Sequence, residues 1–130
     1  MTDDQGAEEV LRSVVWNTQQ AWLQDRRDFG LLIRRIKMQQ KLHQGLIDCA
    51  QTVRLQEQLR AKRAQLKHGM ALLGEICRAM EDAGSVEPAR QFLRGYLQSE
   101  QQARIGPLFR RVDCGFHAVP DEELRQLLST

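Results

Sequence analysis

From Val10 to Ile36 the apolar residues Leu11, Val14, Val15, Trp22, Phe29, Leu32 and Ile33 recur at spacings of three, four and seven. That period lays a single apolar stripe along one long helix, and the natural cover for such a stripe is another helix. Three prolines and nine glycines in 130 residues leave long segments without a breaker. Gln, Leu, Arg, Ala and Glu, all strong helix formers, dominate those segments, and β-branched residues rarely stand together outside Val14-Val15. The reading is an all-α chain: a helical bundle or long helical hairpin with coiled-coil-like packing, closed by a short C-terminal helix.

Acidic residues at Asp3 and Asp4 suit the positive end of a helix dipole, so the first helix is expected over about 4–42. Gly30 lies inside its pattern and predicts a kink or a close helix contact. Beyond Leu42 the stripe changes face. Counting about 100° per residue from Arg34, Leu32 and Ile36 fall near 160–200°, whereas Leu55, Leu59 and Leu66 fall near 300–340°. Supercoiling drifts by only about 20° per heptad, so the helix must break, and HQGLID around Gly45 is the expected place. A second helix then runs over about 46–83, with Leu55, Leu59, Leu66, Met70, Leu73, Cys77 and Met80 at mostly 4-3 spacing. Gly69 and Gly74 are expected to bend it or divide it.

EDAGSVEPAR reads as a stop followed by a start: Gly84 as the C-terminal cap, Ser85 as the next N-cap, Pro88 in the first turn. The third helix is expected over about 86–104. IGPLFRRVDCGFHAVP reads as a loop with one short helical turn after Pro107, and PDEELRQLL as a final helix over about 120–128. Nothing along the chain divides it, and 130 residues suffice for one core, so a single domain over 1–130 is expected.

Charge is distributed unevenly. Residues 1–25 carry a net −4, residues 26–78 a net +8 and residues 79–130 a net −2, within an overall +2. A basic middle between acidic ends suits an anionic partner, or a chain whose ends fold back or pair with a second copy. Three unpaired cysteines without a C-x-x-C motif point to a reducing compartment. The acidic N-terminus lacks a secretory signal pattern, and no apolar run approaches the ~20 residues that cross a bilayer. A cytoplasmic protein without membrane contact is expected.

Two basic trios repeat the same spacing: Arg34, Lys37 and Lys41, then Arg60, Arg63 and Lys67. Each makes a stripe on its own helix, able to follow a phosphate backbone or to flank an apolar seam. In RLQEQLRAKRAQLKHG the leucines mark the seam, and the cations lie about 100° from it. Leu55, Leu59 and Leu66, with Trp16 and Trp22, are therefore the expected partner-binding residues. The two tryptophans are separated by about 120° on the helix, so one of them is expected at an interface.

Cys114 and His117 have the C-x-x-H spacing of half a zinc site, but Cys49, Cys77, His43 and His68 supply no paired second half, so no metal is expected. No nucleophile elbow, P-loop or H-E-x-x-H occurs, and neither catalysis nor a cofactor is expected. LRQLL, Leu124 to Leu128, has the spacing of a groove-docking peptide but reads better as the apolar face of the closing helix. The expected function is a protein–protein interaction module (adaptor, assembly factor, chaperone or structural subunit) that self-associates. The alternative is a small helical nucleic-acid-binding subunit using the basic face.

Overall fold

A computed structural model of the chain describes residues 3–42 and 49–129. Two long helices, α1 (Asp3–Leu42) and α2 (Cys49–Ala83), pack antiparallel. The expected break at HQGLID, and the proposed start of the second helix at residue 46, lie outside the described residues.

The register between the helices is set by small residues and by amide side chains. Gln19 Nε2 donates to the Met70 carbonyl at 3.2 Å, and Gln40 accepts from Gln56 Nε2 at 3.1 Å. α2 continues through Gly69 and Gly74 as one helix. Neither glycine divides it: a Cβ on Gly69 would stand 2.6 Å from Cζ3 of Trp22, and one on Gly74 would stand 3.1 Å from Nε2 of Gln19. Both are contact points where α1 comes close. Gly30 plays the same part in reverse, with the Arg63 guanidinium packed across it.

α2 ends as the sequence predicts. Gly84 adopts a φ of +61°, and the pair of bonds Gly84 N–H to Glu81 O and Ser85 N–H to Met80 O closes the last turn. Ser85 Oγ then accepts the Glu87 amide at 3.1 Å, and α3 (Glu87–Gln98) starts with Pro88 in its first turn. α3 stops at Gln98 rather than near residue 104. Ser99 turns extended, and its hydroxyl donates to the Gly95 carbonyl at 2.9 Å, so the helical ladder ends there and only a 3-10 turn, Gln101–Ala103, follows.

The segment expected to be a loop with one helical turn is a two-stranded antiparallel hairpin. β1 (Phe109–Val112) pairs with β2 (Gly115–Ala118), with Arg110 opposite His117, across a turn in which Asp113 has a φ of 55°. It is held from two sides: Thr18 of α1, distant in sequence, accepts the Phe109 amide through Oγ1 at 2.8 Å, and at the base of the strands the amide of buried Val119 donates to the carbonyl of buried Leu108 at 2.8 Å. α4 (Asp121–Ser129) closes the structure, opening on three acidic residues and burying Leu124.

The resulting molecule has two unequal parts. In the head, Leu11, Val14, Val15 and Trp22 of α1 meet Leu66, Leu73, Ile76 and Met80 of α2, roofed by Val86, Ala89, Leu93, Leu108, Val119 and Leu124. Beyond it, residues 30–42 and 49–63 extend as an arm of two helices. There the buried apolar core is a separate cluster of Ile33, Ile36 and Leu59, with Phe29 bridging to the head.

Candidate functional site

The five residues expected to bind a partner do not share one surface. Trp22 is 2% exposed: it packs on Gly69 and Gly106, and its Nε1–H donates to the Pro107 carbonyl at 2.9 Å. Leu66 is buried in the head and Leu59 in the arm, both against α1. These three are spent inside the chain, Leu59 and Leu66 on the seam of α2 that α1 covers and Trp22 on the face of α1 that meets Gly69. Trp16 and Leu55 remain open, at 56% and 43% exposure. Trp16 lies in the head beside Arg12, Arg78 and Glu81, more than twenty residues and thus about 30 Å along α1 from the middle of the arm.

The arm itself concentrates exposed apolar side chains. Leu31, Leu32, Met38, Leu42, Val53 and Leu55 are between 39% and 73% exposed. Taking the buried Ile33 and Ile36 as the inward face of α1, a count of about 100° per residue puts Leu31, Met38 and Leu42 on the opposite, outward side. They follow one another at spacings of seven and four. Leu32 falls instead on one edge of the arm, the same edge that carries Leu55 of α2.

The other edge is basic. With Gln40 level with Gln56, and Gly30 with Arg63, Arg34 of α1 stands level with Arg60 of α2. Arg34, Lys37 and Lys41 then share one side of the helix pair with Arg60 and Lys67, so five of the six cations form one run of about 20 Å. Arg63 departs from the expected stripe, since its guanidinium lies against Gly30 at the helix–helix contact.

Residues 30–42 and 49–63 hold eight lysines and arginines against the single carboxylate of Glu57. None of those cations takes part in an ion pair among the described residues. Ion pairs cluster in the head: Arg90 with Glu8 and Glu87, Arg94 with Glu87, Arg104 with Asp121, Arg110 with Glu123, Arg125 with Glu122. The described residues of the arm therefore carry a large excess of positive charge beside an apolar spine.

Cys114 is exposed in the hairpin turn and His117 is exposed on β2. Among the described residues no group of three His, Cys, Asp or Glu could hold a metal ion, and His43 lies outside them. Burial, and then the charge of Glu81, push the Cys77 thiol up, which suits an inert core sulfur. Burial also raises Tyr96, opposed by Arg104, whose guanidinium stacks 4.2 Å from the ring while pairing with Asp121 at 3.0 Å. That cluster ties α3 to α4. In LRQLL, Leu124 is fully buried and Leu127 and Leu128 pack against the core, so the motif is consumed in closing the head.

Among the described residues no helix is long and apolar enough to cross a membrane. Compared with known proteins, the chain matches no family model, no curated protein and no solved structure.

Proposed function

We propose that the protein is a helical interaction module whose head is a folded base and whose arm binds another protein, in the role of an adaptor, assembly factor, chaperone or subunit. The observation carrying this reading is the outward spine of α1, where Leu31, Met38 and Leu42 are 58%, 65% and 73% exposed. Large apolar side chains aligned on a helical pitch and left in water mark a surface that another element covers. A helix pair with so thin a core of its own also gains most from such a cover.

A second copy is one such cover, but residues 30–42 carry four cations and no carboxylate, so symmetric pairing through the spine would bring like charges together. A different protein therefore suits the surface better. Placing a photoreactive residue at Met38 and irradiating in the native host tests the module. An adduct of defined added mass at Met38, missing when the same group replaces exposed Arg78 in the head, is the expected result. No adduct at Met38 counts against the arm as the binding element.

The co-facial basic run supports a second reading, a nucleic-acid-binding subunit laying Arg34, Lys37, Lys41, Arg60 and Lys67 along a phosphate backbone. It predicts binding to short RNA or DNA duplexes that collapses with salt and with Arg60→Glu plus Lys37→Glu. Binding that is absent at low salt removes it.

A further inference from the structure

We infer that the arm's partner is an acidic amphipathic α-helix of another protein, seated along the outward spine of α1; this rests on the interaction-module reading. Leu31, Arg35, Met38 and Leu42 follow at spacings of four, three and four, the recurrence of a helix-pairing seam. In that register Arg34 and Lys41 occupy the shoulders that meet a partner helix's flanking residues, and Arg35 interrupts the seam itself. All three cations are exposed and form no ion pair among the described residues. A partner with leucines against Leu31, Met38 and Leu42, and carboxylates against Arg34, Arg35 and Lys41, satisfies both the apolar and the charged part of this face at once.

Other anionic surfaces satisfy one part and leave the other unused. A phosphate backbone neutralises the cations but covers none of the apolar spine, and residues 30–42 and 49–63 contain no aromatic side chain on which a base would stack. An anionic bilayer would take both, yet a helix lying in a bilayer presents an apolar face of 100° or more. The spine of α1 is only about 40° wide by the same count, the width of a seam between two helices.

The test uses the full chain and synthetic three-heptad peptides, measured by anisotropy of the labelled peptide. One has leucine at the seam with glutamate at the flanks; a second keeps the leucines with lysine flanks; a third keeps the glutamates with alanine at the seam. The glutamate–leucine peptide is expected to bind, and the other two to bind at least about tenfold more weakly. Arg34→Glu plus Arg35→Glu plus Lys41→Glu is expected to reverse the preference toward the lysine peptide. Met38→Glu, at an exposed position where helicity and thermal midpoint are expected to hold, should weaken binding about tenfold or more.

Equal binding of the glutamate and lysine peptides, indifference to Met38→Glu, or failure of the triple variant to reverse preference overturns the inference. So does capture by phosphatidylserine vesicles or an RNA duplex while the glutamate–leucine peptide is ignored. If the peptides fail but Met38 still cross-links to a defined host protein, the acidic-helix partner is wrong and the interaction module stands. Failure of both removes both.

Discussion

At Gly69 a Cβ would stand 2.6 Å from Cζ3 of Trp22 and 2.9 Å from Cγ2 of Ile105, and neither neighbour is the free end of a flexible chain. Alanine there forces the indole or the helix to move, so Gly69→Ala is expected to cost about 1–3 kcal/mol in urea denaturation. Gly95, exposed inside α3 with nothing near its missing Cβ, is the internal control. Gly95→Ala should stabilise by about 0.5–1 kcal/mol, the ordinary helix-propensity gain. Opposite signs for the same chemical change would separate close packing from propensity; two gains would refute the contact at Gly69. Asp25 gives a pH-dependent counterpart. Burial, and then Asp28, raise its carboxyl above the usual value of 3.8. A carboxyl raised in the folded state is neutral in both states below the unfolded value and costs stability once pH climbs through the folded one. Asp25→Asn is therefore expected to raise the thermal midpoint at pH 7, with the gain shrinking toward pH 4. A gain that stays constant over that range would contradict it.

Among the elements, the hairpin is tied to α1 by a hydroxyl 91 residues away. Thr18 is fully buried, and its Oγ1 accepts the Phe109 amide at 2.8 Å. Thr18→Val keeps the shape and strands that N–H, a loss of about 1–3 kcal/mol that should appear with faster amide exchange across residues 109–118. Unchanged exchange there would mean that the strands stand on their own turn. The same contact explains why the hairpin was not legible in the sequence. FRRV and GFHA are four-residue strands without apolar alternation, and what makes them pair is Thr18, together with Leu108 and Val119 beneath. The helices, by contrast, carry their own signal: the 4-3 stripes, apart from exposed Leu32 and Leu55, and the Gly84 cap recur in the structure because they depend on local period and backbone. Both basic trios were visible as stripes, but whether they share a side depends on how α1 and α2 are rotated against each other. Gly69 is ambiguous in the sequence for a similar reason: a glycine that divides a helix and one that admits an indole are identical until Trp22 is placed opposite it.

Taken as a whole, the molecule divides its stability as it divides its charge. The head buries fully covered side chains from all four helices and Leu108 before the hairpin, while the arm rests on Ile33, Ile36 and Leu59, each 6–9% exposed. Local opening free energy follows buried apolar contact, so the arm is expected to open before the head. Both tryptophans lie in the head, and Trp22 is buried there, so indole emission reports the head alone, while helical circular dichroism reports head and arm together. In a urea titration the dichroism should therefore begin to fall at a lower concentration than the emission shifts, a departure from two-state behaviour. Ile36→Ala removes part of the arm's core, worth about 2–4 kcal/mol locally, and should widen the gap between the two curves without moving the emission midpoint. Leu73→Ala, in the head, should instead shift the emission midpoint to lower urea. Coincident curves in the wild-type chain would mean that arm and head fold as one unit. An arm that opens first is one whose order a partner can supply, and the acidic peptide should draw the dichroism curve back toward the emission curve, because ligand binding stabilises only the folded arm.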